Sequence, residues 1–213
     1  MAHITVPHII TLITVCIGVY IIASINFSIL TARFLMGEDI RKTGSKNAGA
    51  TNLMRLAGIK TALLVLFSDI LRAYGLMLIL KWSHSYTEWP FGAIIILAGN
   101  IFPIFHSFKG GKGIAATIGI FLAVQPITAV IGIAIFVTTV AICKRVSPAS
   151  LTMVLSVLLL QTGDYLKIWH IYDNVTLKTV VTTLIIMIIV IWTHRVNIKR
   201  LLKKQEPSIF KQK

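Results

Sequence analysis

Long apolar runs dominate this 213-residue chain and restrict it to folds that a lipid bilayer can hold. Candidate spans run from Ile9 to Arg33, Thr61 to Leu80, Phe91 to His106, Ile114 to Val124, Ile127 to Cys143, Leu151 to Thr162 and Thr176 to Trp192. A hydrocarbon core about 30 Å thick is crossed by about 20 apolar helical residues. The runs therefore predict an all-α integral membrane protein with seven transmembrane helices, two of them too short to cross alone. No stretch outside the spans exceeds about 25 to 30 residues, too few for an independent soluble core. Residues 1–213 thus read as one polytopic membrane domain with a basic tail from about 199 to 213, and any chemistry sits at helix ends and in loops.

Charge distribution sets the expected topology. The formal net charge is +14, but 17 of the 21 Lys and Arg residues fall in four places: Arg33 to Lys60, Lys109 and Lys112, Lys144 and Arg145, and Arg195 to the C-terminus. Basic residues in short inter-helix segments mark the cytoplasmic face, so nucleic acid is not the expected partner. The first cation is Arg33, so no basic region precedes the first apolar run and a removed signal peptide is not expected. Placing all four basic clusters inside requires an even number of crossings between them. One thirty-residue crossing from Ile114 to Cys143 breaks that parity. Two shorter helices hinged near Gln125 and Pro126 restore it, with proline favouring the break; a single tilted, kinked helix is the alternative. The N-terminus is then outside and the C-terminus inside. Glu88, Asp164 and Asp173 fall on the outer side with Trp82, Trp89, Trp169 and Tyr172, which read as an interfacial belt.

Two glycine-rich basic segments carry the chemistry. In Phe108-Lys-Gly-Gly-Lys-Gly113, Gly110, Gly111 and Gly113 let backbone N–H groups turn toward one point, beside Lys109 and Lys112 and the N-terminus of the next helix. This is an anion cradle; the plainer reading is a basic loop on the inner face. In Gly44-Ser-Lys-Asn-Ala-Gly-Ala-Thr-Asn-Leu-Met-Arg55, Ser45, Asn47, Thr51 and Asn52 offer neutral donors, and Arg55 can fork onto phosphate oxygens. Helix capping by Ser and Asn is the plainer reading. Near the C-terminus His194 and Asn197 are three apart, so a continuing helix puts them on one face. His194 is a candidate base or phosphate ligand. Asp69 and Arg72, also three apart within a span, read equally as a functional pair or as packing between helices. No Cys/His cluster suggests a metal site.

The order Gly-Ser-x-Asn-x-Gly-Ala-Thr-Asn with a following Arg, then Phe-Pro-x-Phe-x-x-Phe-Lys-Gly-Gly-Lys-Gly, then His-x-x-Asn-Ile-Lys-Arg-Leu, resembles the bacterial acyl-phosphate-dependent glycerol-3-phosphate acyltransferases. The match runs from about Ala23 to Leu201 and includes Ser24, Asp69, Ser147 and Ser150. It implies a seven-helix fold in the bacterial inner membrane with its active site toward the cytoplasm. The implied reaction transfers a fatty acyl group from acyl phosphate to the 1-hydroxyl of glycerol 3-phosphate. Lysophosphatidic acid and inorganic phosphate are the products, with no cofactor. Carried onto this chain, the resemblance implies a catalytic set of Ser45, Arg55, Lys112, His194 and Asn197. Asn47, Thr51, Asn52, Lys109, Gly110, Gly111, Gly113, Ser147 and Ser150 are the implied substrate-binding residues. Three positions depart from the family's usual residues: Lys46 stands in place of Gly, Asn100 in place of His, and Val196 in place of an acidic residue between His194 and Asn197. Two other classes are a transporter of phosphate or lipid head groups, built from broken helices whose N-termini meet an anion, and a noncatalytic lipid-binding or assembly subunit, to which Val196 lends weight.

Overall fold

The computed structural model describes residues 6–82 and 89–209, all of whose regular elements are helical. The helices are α1 (Val6–Ala23), α2 (Phe27–Met36), α3 (Ala50–Trp82), α4 (Trp89–Ile101), α5 (Ile114–Val124), α6 (Pro126–Cys143), α7 (Val146–Tyr165), α8 (Leu177–Thr193) and α9 (Arg195–Leu202), with a short 3₁₀ turn at Ile104–His106. Glu88 and the last four residues of the basic tail lie outside the described residues. Helix α3 packs on α5, α6 on α7, α1 on α4 and α7 on α8. The main core, including Met77, Ile96, Leu97, Phe121, Met153 and Ile186, lies among these helices. Many large apolar side chains face outward, among them Phe34, Leu64, Leu71 and Ile142. That is the surface a lipid-embedded protein presents, and the chain is a multi-pass membrane protein.

Among the described residues five apolar segments are long enough to cross a membrane, six if the bent α8–α9 pair is one span, and α5 is shorter. Three sequence expectations need adjustment. The first span does not run unbroken from Ile9 to Arg33: it breaks after Ala23, and Asn26 restarts the helix by accepting a hydrogen bond from the Ile29 amide at 2.9 Å. The second begins at Ala50 instead of Thr61, so Thr51, Asn52 and Arg55 ride on its first turns, with a kink at Gly58. Of the two helices expected to be short, α6 has 18 residues and is long enough to cross.

The break at Pro126 is present, with α5 and α6 meeting at Gln125. Its consequence for the site is geometric. From this shared turn α5 returns 11 residues and α6 returns 18, which at 1.5 Å per residue is about 16 Å against about 27 Å. The start of α5, and the glycine loop before it, therefore sits about 10 Å short of the end of α6. Ion-pairing explains Asp69 and Arg72: they contact at 2.9 Å with both side chains largely enclosed, and Arg72 lies over the Phe27 ring at 5.4 Å. The pair braces the start of α2 against α3, as the packing reading expects, and Asp69 also lines the cavity described below, as a functional pair would. Where α3 crosses α5, Gly119 lies directly against the backbone of Ile70 and Tyr74, the close approach that small residues permit between membrane helices.

Candidate active site

The glycine loop is held in place by main-chain pairing with the end of α4. Gly110 N donates to Ile101 O at 2.9 Å and Gly111 N to Asn100 O at 3.2 Å. A Cβ on Gly110 would strike the Asn100 and Ile101 carbonyls and Pro103, so no larger residue fits without moving backbone. Gly113 takes φ +83° and leads into α5, whose N-terminus no side chain caps. Uncapped first-turn amides are free donors with a partial positive charge. Arg41 ties this loop to the preceding one: its guanidinium donates to His106 O at 2.6 Å and Lys109 O at 3.0 Å while pairing with Asp39. Hydrogen bonds from Arg41 hold the Asp39 carboxyl well below the usual carboxylate range.

The first motif forms the opposite wall. Asn52 is fully buried and has spent its hydrogen-bonding capacity on the loop itself. Its Nδ2 donates to Ile40 O and Thr43 O, both at 3.0 Å, and its Oδ1 accepts from Ser45 N at 2.9 Å. Asn52 is thus an organiser of the turn. Lys46 takes φ +60°, a conformation that costs an ordinary side chain about 1 kcal/mol or more.

These walls enclose a cavity of about 480 Å³. Ser45, Asn47, Thr51, Arg55, Gly111, Lys112, Gly113, Ser147, Ser150, His194 and Asn197 all line it. Lys109, Gly110 and Asn52 do not; Lys109 is exposed and Gly110 acts through its backbone. The helix expected to carry His194 and Asn197 together bends by 62° between α8 and α9, yet both side chains reach the cavity. Away from these residues the wall is mainly apolar, with Ile59, Leu63 and Leu66 on α3, Ile118 on α5 and Phe136 and Val137 on α6, interrupted on α3 by the ion-paired Asp69.

Charge inside the cavity is predominantly positive. Arg55 has a buried Nε with no hydrogen-bond partner and makes no ion pair among the described residues. Lys112 Nζ donates to Asn197 Oδ1 at 2.5 Å. Burial, with Arg200 and Arg55 nearby, brings the Lys112 pKa down to about 8, although Glu206 opposes the shift. His194 Nδ1 lies 2.8 Å from Val190 O; since a carbonyl only accepts, Nδ1 carries the proton and Nε2 keeps its lone pair. Burial and the Lys112 charge bring the His194 pKa down to about 4, so the ring is neutral near pH 7.

Sequence reasoning missed Glu206, Arg200 and Asn26, all of which line the cavity. Glu206 arrives because the tail folds back after α9, where Gln205 N donates to Arg200 O and Ile209 N to Lys144 O. The available signal was a lone acidic residue among seven cations from Arg195 onward. It also changes the weight of Val196. That side chain is 49% exposed, so a carboxylate at that position would stand at the outer surface of α9, whereas Glu206 lies in the cavity.

Comparison with known proteins agrees with this geometry. The sequence profile of the family described as glycerol-3-phosphate acyltransferase matches residues 13–204. A glycerol-3-phosphate acyltransferase of Mycoplasmopsis pulmonis is 35% identical over 205 residues, covering 91% of each chain. One from Bacillus subtilis is 33% identical over 190 residues, covering 89% of this chain and 93% of the relative. The solved structure of PlsY, an integral membrane glycerol 3-phosphate acyltransferase, in its glycerol 3-phosphate form superposes with a TM-score of 0.83 at 31% identity, covering 92% of this chain and 94% of that one. Its lysophosphatidic acid form gives a TM-score of 0.80 at 29% identity, with the same coverage. With the three motifs on one cavity and the profile matched over nearly its whole length, the chain belongs to the glycerol-3-phosphate acyltransferase family.

Proposed function

We propose that this protein transfers a fatty acyl group from acyl phosphate to the 1-hydroxyl of glycerol 3-phosphate, releasing lysophosphatidic acid and inorganic phosphate. The observation that carries this reading is a pair of cations, Arg55 and Lys112, in no ion pair among the described residues, in a cavity whose wall beyond them is mainly apolar. Both substrates are phosphate anions, and only the donor brings a hydrocarbon chain. Arg55 and Lys112, the α5 amides and the Ser45 and Thr51 hydroxyls are assigned to the phosphates, whereas Ser147 lines the site with its hydroxyl proton donated to Glu206. The apolar faces of α3, α5 and α6 are assigned to the acyl chain.

An acyl phosphate is already activated, so no protein nucleophile is required. The glycerol oxygen attacks the acyl carbonyl carbon, the new ester bond forms, and the bond from that carbon to the phosphate oxygen breaks with its electron pair leaving on phosphate. The hydroxyl proton passes to the departing phosphate. Before attack His194 accepts the hydrogen bond of that hydroxyl at Nε2 and orients it; because its low pKa makes it a weak base, the proton turns to the phosphate as the new bond forms. Loop amides and the Asn197 side chain steady the developing oxyanion. Seven spans with the N-terminus outside and the C-terminus inside put the cavity mouth at the cytoplasmic face of the inner membrane.

The test is phosphate release by purified protein from acyl phosphate, with and without glycerol 3-phosphate. Release is expected to require the acceptor, and Lys112→Ala to lose roughly 10- to 100-fold in kcat/KM, the worth of one charged contact. Release indifferent to both the acceptor and the substitution would contradict the assignment.

A further inference from the structure

Beyond the residues assigned above, the C-terminal segment carries a carboxylate into the cavity that the reaction itself does not call for. Glu206 is 7% exposed. Its Oε1 accepts from Ser147 Oγ at 2.5 Å and from Asn197 Nδ2 at 2.6 Å. Arg145 Nε donates to its backbone carbonyl at 3.0 Å, so the segment is anchored to the start of α7 as well as to α9. Its Oε2 is buried with no hydrogen-bond partner.

Asn197 stands between two groups of opposite hydrogen-bonding character. An ammonium only donates and an ionised carboxylate only accepts, so Lys112 on one side and Glu206 on the other permit a single orientation of the amide. We propose that Glu206 is a positioning residue of this site: its carboxylate holds the Asn197 amide so that the oxygen faces Lys112 and the Lys112 ammonium faces the cavity. The inference rests on the acyltransferase reading above. It makes the C-terminal segment part of the working site instead of a basic appendage.

Electrostatics supply a readout that a purely mechanical anchor lacks. The charged or titratable groups around Lys112 are Arg55 on α3, Arg200 on α9, His194 at the α8–α9 bend and Glu206 on the C-terminal segment. Glu206 alone among them raises the Lys112 pKa; Arg55 and Arg200 lower it. Removing the negative charge therefore makes Lys112 lose its proton at lower pH.

The experiment compares the pH dependence of kcat/KM for wild type, Glu206→Gln and Glu206→Asp, each checked for a monodisperse folded peak in detergent. For Glu206→Gln the alkaline limb, which lies near pH 8 in wild type if Lys112 controls it, is expected to move down by about one pH unit, an ordinary size for an environmental shift. Glu206→Asp keeps the charge but not the reach. It is expected to keep the limb near its original position while losing kcat. An unmoved limb in a folded Glu206→Gln protein overturns the proposal. Failure of both variants to fold also overturns it, making Glu206 an anchor of the segment and no more. Wild-type turnover in the same assay separates the two claims, since its absence would defeat the acyltransferase reading itself.

Discussion

At the scale of single residues, the cavity makes distinct demands on charge, tautomer and backbone. Lys112 has a folded pKa of about 8 against an ordinary 10.5. Its cation is present at neutral pH and lost as pH rises through 8, so activity is expected to fall on that limb. Stability has the opposite sign: between pH 8 and 10.5 the unfolded chain binds more protons at this position, so its contribution to stability rises there. Thermal melts and initial rates over the same pH series would expose the opposition. For His194 the orientation and general-base roles separate by substitution. Gln places an acceptor where Nε2 stood, so His194→Gln is expected to retain well over ten times the activity of His194→Leu; equal losses would favour the base. At Lys46 the positive φ predicts that Lys46→Gly stabilises the fold by up to about 1 kcal/mol in denaturant titration. Residue types and spacing made Arg55, Lys112, His194 and Asn197 legible in the sequence. Asn52 looked like one more donor because nothing local shows that three backbone groups of the same turn consume it.

Elements decide whether these side chains meet. The glycine loop stood out in the sequence, but the reason for its individual glycines differs from flexibility alone. Gly110 is required because carbonyls at the end of α4 occupy the space beside it. Gly110→Ala is therefore expected to cost about 1–3 kcal/mol, the usual penalty of overpacking, and to lower kcat/KM with it. Retained stability and rate would mean that the loop is not registered on α4. The proline break between α5 and α6 was legible from charge parity. The break after Ala23 was not, since no proline or glycine marks it; Asn26 caps the restarted helix through a buried contact that an apolar run conceals. Nor was the 62° bend at His194 legible, because a straight helical wheel already places His194 and Asn197 on one face.

Taken whole, the molecule is an apolar bundle with a predominantly positive cavity that runs from the recessed glycine loop to the ends of α6 and α8, and the proposed function puts phosphate chemistry and a lipid chain there together. The fold class followed from the length of the apolar runs, while the recess depended on comparing α5 with α6 across their shared turn. The orientation predicts that, in a Cys143→Ser background, Lys144→Cys reacts with an impermeant maleimide only in inside-out vesicles and Ile168→Cys only in right-side-out ones. Both side chains are exposed at opposite ends of α7, and labelling from one face alone would contradict the topology. The most direct test of the central claim is donor choice. Purified protein is given labelled glycerol 3-phosphate with either acyl phosphate or acyl-CoA, and lysophosphatidic acid and free phosphate are measured together. Product from acyl phosphate alone, with one phosphate released per molecule of product, is the predicted result; product from acyl-CoA without phosphate release would contradict it.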